Sequence, residues 1–140
     1  MKKRKLSYIL AHTKVEKLEG IVEELSKKYE ISKVKEPEMG LVMVKVKDGV
    51  YQEKFYIGEV LITECSVHLN GSLGMGIIQG DEPRKAYAMA VIDAVFNNDE
   101  IDKTELIDIL KVWEEEIEDS YIEEKAMVEG SKVKFETMGE

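Results

Sequence analysis

Apolar residues near the start of the chain recur three and four positions apart: Leu6, Ile9 and Leu10, then Leu18, Ile21, Val22 and Leu25. That spacing puts each group on one face of a helix, so helical structure is predicted over residues 5–29. Thr13, with Glu16 three residues on, reads as a capping box. It divides the stretch into two short helices meeting near His12 and Thr13. The period then changes to two. Residues 31–35 alternate until Pro37, which is expected to stop the strand because proline cannot donate to a ladder. Gly40 opens residues 41–47, where Val42, Val44 and Val46 share one face and the lysines the other. Residues 55–69 are too long for one plain strand, and Gly58 is the expected place for a bulge or bend. A last strand follows over residues 73–79. Asp48-Gly49 and Asn70-Gly71 are hairpin turn signals, so these runs predict an antiparallel sheet of about four strands.

Helical spacing then returns. Asp81 is expected to cap a helix that has Pro83 in its first turn. Its body, residues 84–96, is apolar on most sides, which predicts burial on more than one face. Ala86, Ala90 and Ala94 recur every four positions and allow a close approach to the sheet. Asn97-Asn98-Asp99 ends it. A long amphipathic helix is predicted over residues 102–128, with Leu106, Leu110, Trp113, Ile117 and Tyr121 along one stripe. Gly130-Ser131 is expected to break it, leaving residues 133–138 as a short extended tail. The pattern predicts an α+β fold: N-terminal helices, an antiparallel sheet, a buried helix packed on it and a long C-terminal amphipathic helix. With 140 residues, the chain is read as one domain, 1–140.

Composition narrows the function classes. No apolar run approaches the ~20 residues of a bilayer crossing, and nothing resembles a secretory signal, so a cytoplasmic location is expected. The formal net charge is −9, with Glu114-Glu115-Glu116, Glu118, Asp119, Glu123 and Glu124 crowded near the end. A polyanion is repelled by such a chain, which argues against general nucleic-acid binding. The acidic run reads first as a solvated helix face, and second as a docking surface for a basic partner.

Catalytic signals are sparse. The chain has one cysteine, Cys65, and two histidines, His12 and His68. This excludes an internal disulfide, a zinc finger or an iron–sulfur cluster held by this chain alone. Cys65 and His68 differ by three, so on a strand they point to opposite faces, and Cys65 reads as a buried strand residue. His12 reads as finishing the first helix. Gly74 and Gly76 share one strand face, which suits close approach of another backbone. The Gly80–Arg84 turn is the better anion candidate, since Gly80 and Arg84 stand at a strand–turn–helix junction; Asp81 and Glu82 oppose it. Asp93, in an apolar helix, needs a hydrogen-bond partner if it faces inward. No metal or cofactor is expected. From the residues alone, a small-molecule or phosphate-binding module and a small metal- or thiol-dependent hydrolase both stay open.

Several segments resemble, in order, the PhnG family of phosphonate metabolism. They are Ser7-Tyr8-Ile9-Leu10-Ala11-His12; Gly40-Leu41-Val42-Met43-Val44 with the block from Phe55 to Thr63; Gly74-Met75-Gly76, Gln79-Gly80 and the helix carrying Ala86, Ala90, Asp93 and Ala94; and Ser131 to Met138. The resemblance implies a subunit of the carbon–phosphorus lyase core complex, beside PhnH, PhnI and PhnJ. With PhnL, that assembly converts ATP and an alkylphosphonate to a ribose 1-phosphonate 5-triphosphate, displacing adenine. It assigns the chemistry chiefly to PhnI and no catalytic residue to this chain. It implies a role in assembly, for which Trp113, Val133 and Phe135 are the expected interface anchors. Self-association of the isolated chain is compatible with such a role.

Overall fold

The computed structural model describes the backbone of residues 1–47 and 54–139 and the side chains of residues 1–43 and 58–123. The chain divides into two compact units, Met1–Thr13 with Thr104–Glu140, and Lys14–Lys103.

In the first unit, α1 (Lys3–His12) packs on α4 (Thr104–Gly139). The stripe predicted from spacing is the buried one: Leu6, Ile9 and Leu10 on α1, and Leu106, Leu110 and Trp113 on α4. Lys5 Nζ lies 3.2 Å from a Glu114 carboxylate oxygen. Further along α4 the stripe comes out into solvent, and Tyr121 is exposed. The helix does not break at Gly130-Ser131, and the expected extended tail is helical to Gly139. One helical glycine costs about 1 kcal/mol relative to alanine, and no proline follows to enforce a stop. The two N-terminal helices are separate, as predicted, but Thr13 does not cap the second. Its hydroxyl donates back to the Ile9 carbonyl at 2.7 Å, and Lys14 takes the N-cap position of α2 without a side-chain bond.

The second unit is α2 (Val15–Lys28), a three-stranded antiparallel sheet in the order β1 (Ile31–Lys47), β2 (Lys54–Leu69), β3 (Ser72–Gln79), and α3 (Pro83–Phe96). The sheet has three strands rather than about four because Pro37 does not end the first. Pairing skips between Lys35 and Glu38, so the proline sits in an irregularity of an edge strand, where a missing N–H is tolerated. Residues 31–47 therefore form one long strand. The bulge expected at Gly58 is present: Val44 pairs with Gly58 and Lys45 with Tyr56, which leaves Ile57 as the extra residue. The Asn70-Gly71 turn joins Leu69 to Ser72, with φ of 47° and 86° at its two central residues. Those are the left-handed conformations of the tight hairpin turn the dipeptide signals. Asp48-Gly49 lies outside the described residues.

The α3 helix is buried on most of its surface, as its composition predicts, and it packs on the sheet and on α2. Thr63, Cys65, Val67 and Leu69 of β2 and Gly74, Gly76 and Ile78 of β3 form the covered face. The two glycines decide how close the layers come. A Cβ placed on Gly74 would lie 2.6 Å from the Ala94 Cβ, and one on Gly76 would lie 2.7 Å from the Ala90 amide nitrogen. Glycine on the strand and alanine on the helix thus let backbone rest against backbone.

Candidate functional site

The junction between β3 and α3 is where the sequence placed its anion candidate. Gly80 turns the chain with φ of 95°, and its amide donates to the Leu61 carbonyl at 2.8 Å. Thr63, almost fully buried on β2, organises the rest. Its hydroxyl donates to the Gly80 carbonyl at 2.6 Å and accepts the Glu82 amide at 3.1 Å. Pro83 occupies the first position of α3, but the N-cap residue is Glu82, not Asp81, and it makes no side-chain capping bond. Thr63 from the neighbouring strand binds that amide instead. A polar residue at an inward position of an alternating strand is the sequence signal for it, because a buried hydroxyl needs partners.

Arg84 leaves this turn toward α2, where Glu19 accepts two hydrogen bonds from its guanidinium, one of them at 2.9 Å from Nε. The bonded guanidinium holds the Glu19 carboxyl below the usual carboxylate range and pushes Arg84 up in turn. An incoming anion at Gly80 and Arg84 therefore competes with a carboxylate already in place. Beside this pair lies a cleft of about 540 Å³, lined by Val22, Lys33, Pro37 and Tyr87 among others. Lys33 Nζ sits 5.2 Å from the Tyr87 ring centroid and 3.6 Å from a Glu36 carboxylate oxygen. Both described cations of the cleft, Lys33 and Arg84, face carboxylates of the chain itself.

The thiol and imidazole candidates are not brought together. Cys65 is buried, its thiol donates to the Lys35 carbonyl at 3.3 Å, and burial pushes its pKa up. His68 is exposed on the opposite face of the same strand. In the other unit, the His12 ring bonds the Tyr8 carbonyl at 2.9 Å and packs at a tilt against the Tyr8 ring, finishing α1. Among the described residues, no group of three or more His, Cys, Asp or Glu side chains is placed to hold a metal ion. Likewise no helix is long and apolar enough to cross a membrane.

Asp93 has the partner its position requires. Its carboxylate accepts the Met75 amide at 3.0 Å, and Asn97, one turn on, donates to the Leu73 carbonyl at 2.7 Å. Asp93 accepts from, and Asn97 donates to, backbone groups on the edge of β3 turned away from β2. Two side chains of α3 thereby cover part of an edge that another strand would otherwise extend.

Of the interface candidates, Trp113 is 8% exposed, and the side chains of Val133 and Phe135 lie outside the described residues. Spacing did not single out several large apolar residues that are exposed: Leu73, Met75 and Ile77 on the outer face of β3, and Met39, Leu41 and Met43 on β1.

These features define a small α+β protein whose titratable candidates are dispersed and whose strands carry uncovered apolar side chains. The chain belongs to the PhnG family: residues 1–139 match the family model described as phosphonate metabolism protein PhnG, a match that spans both units. It is similar to the alpha-D-ribose 1-methylphosphonate 5-triphosphate synthase subunit PhnG of Rhizobium meliloti (strain 1021). The two are 32% identical over 91 residues, which cover 64% of this chain and 58% of that protein. The matched segment is thus less than two thirds of the relative's length.

Proposed function

We propose that the chain is the PhnG subunit of an alpha-D-ribose 1-methylphosphonate 5-triphosphate synthase, located in the cytoplasm. In this reading it supports the displacement of adenine from ATP by an alkylphosphonate through assembly with PhnI, PhnH and PhnJ homologues, together with PhnL. The family match along residues 1–139 carries the proposal, and the synthase to which the Rhizobium meliloti relative belongs supplies the product. Two structural observations support a role in assembly rather than in bond making. Cys65 is buried and its pKa is raised, so little thiolate is available. Apolar side chains on β1 and β3 stand in solvent, as surfaces that are covered in a complex do. Trp113, Val133 and Phe135 of α4 are the proposed interface anchors.

The test is adenine release from ATP and methylphosphonate by the purified subunits. The full set should release adenine, the set lacking this chain should lose most of that activity, and the chain alone should release none. Unchanged release by the set without this chain, or release by this chain alone, contradicts the proposal.

A further inference from the structure

The cleft beside Arg84 lies wholly within the second unit, lined by α2, the first part of β1 and the start of α3. Its volume of about 540 Å³ falls in the range of ligand sites, ~300–1,000 Å³. Val22, Pro37, Pro83, Tyr87 and Ala88 supply its apolar surface. The charged lining is Glu19, Glu23 and Glu36 against Lys33 and Arg84, three carboxylates to two cations, a formal sum of −1.

These charges are not equally committed. Arg84 and Glu19 share two hydrogen bonds, so each satisfies the other. Glu23 and Glu36 are loosely held: each side chain is 74% exposed, with Lys27 4.0 Å from Glu23 and Lys33 3.6 Å from Glu36. Exposed pairs at such distances contribute little, and a better-placed cation displaces them. Tyr87, half-buried, already turns its ring toward a cation, Lys33 Nζ at 5.2 Å from the centroid. Lys33 is itself exposed and has solvent to move into. The cleft thus offers an aromatic ring together with an accessible carboxylate on each of two walls, Glu23 on α2 and Glu36 on β1. A guanidinium suits that set, because it is planar, stacks on aromatic faces and forks its donors toward carboxylates. An ammonium is a point charge with no plane to stack. An anion meets the reverse, since both cations of the cleft face carboxylates and the sum of the lining repels it. ATP and an alkylphosphonate, the substrates of the proposed reaction, are anions, so a cation arriving here comes from a polypeptide. We infer that this cleft receives an arginine side chain of a partner subunit, stacked on Tyr87 in place of Lys33 and bonded to the carboxylates of Glu23 and Glu36.

This inference rests on the reading of the chain as a subunit. It is tested by co-expressing the partner subunits with tagged wild-type chain, with Glu23→Lys/Glu36→Lys, or with Asp99→Lys/Glu100→Lys. The second pair changes the net charge by the same amount but lies outside the cleft lining, in the loop after α3. The cleft variant should recover at least tenfold less partner and the loop variant as much as wild type. All three isolated chains should melt within about 3 °C of one another, because the four altered residues are exposed. Equal capture by all three, or equal loss in both variants, overturns the cleft inference and leaves the subunit reading intact. No capture by the wild type, with the partners assembled, overturns both. On the isolated wild-type chain, the Tyr87 ring signals in an NMR titration should move with acetylarginine methylamide and stay still with inorganic phosphate at the same ionic strength. Movement with phosphate, or none with the arginine probe, overturns the inference.

Discussion

Replacing Gly76 with alanine puts one methyl group between β3 and α3. The new carbon would lie 2.7 Å from the Ala90 amide nitrogen and 3.1 Å from the Ala86 carbonyl carbon. Ordinary contacts between heavy atoms lie at ~3.5–4.0 Å. The obstructing atoms are backbone, so no side-chain rotation relieves the clash, and α3 must retreat by roughly 1 Å. A gap of that size forfeits a quarter to a half of each dispersion contact it opens, and α3 is packed along its length. The cost is about 3 kcal/mol, the upper part of the range for overpacked cores. Against it stands the ~0.5–1 kcal/mol gained when alanine replaces glycine in the unfolded chain. A net loss of roughly 2 kcal/mol lowers Tm by about 8 °C in a chain of this size. The control is Gly20→Ala on α2, where an added Cβ meets nothing within 4 Å. It should gain ~0.5–1 kcal/mol. Thermal and urea unfolding of both variants beside the wild type read the two signs together. A Gly76→Ala protein as stable as wild type, or more so, refutes the claim that glycine sets the spacing of helix and sheet.

Thr63→Val keeps the shape of the side chain but leaves the Glu82 amide and the Gly80 carbonyl without their hydroxyl partner. It should cost about 1–3 kcal/mol and speed amide hydrogen exchange in the first turn of α3 relative to its middle. Asp93→Ala removes the acceptor of the Met75 amide and uncovers the edge of β3, so light scattering should show association that rises with concentration where the wild type shows less. Cys65 should react with a thiol reagent at least tenfold more slowly in the native chain than in urea, because it is buried and its pKa is raised; equal rates would mean the thiol is open. Glu19 has a lowered pKa through its bond to Arg84, so the stability it contributes is present above the ordinary carboxylate pKa and lost as pH falls through the lowered one. The Tm gap between wild type and Arg84→Ala should therefore be small at pH 7, as for exposed pairs, and close as the pH falls through the lowered pKa of Glu19.

The two periods in the sequence carry most of the fold. Leu6, Ile9 and Leu10, and then Thr63, Cys65, Val67 and Leu69, alternate or recur as their elements require, and the structure buries each set. Asn70-Gly71 marked its hairpin because few other dipeptides adopt positive φ at both positions without strain. Errors fell where a local rule met a tertiary context. Pro37 reads as a stop, but on an edge strand at an irregular pairing it breaks nothing. Asp81 reads as a cap, but Thr63, distant in sequence, already binds the amide of Glu82. Gly130-Ser131 reads as a break that a long helix absorbs. Arg84 was legible as a charge beside a turn, whereas its pairing with Glu19 depends on the packing of α2 against α3, which no spacing encodes. The exposure of Leu41 and Met43 was hidden for the same reason. Leu41 and Met43 look like ordinary strand residues until α3 is seen to begin only where β3 has ended.

The most direct measurement of the subunit role is size-exclusion chromatography of the tagged chain co-expressed with PhnH, PhnI and PhnJ homologues. Elution of all four as one stable complex is the expected result. Elution of this chain as a lone small species, with its intended partners soluble and assembled without it, would contradict the role and leave only the family's fold.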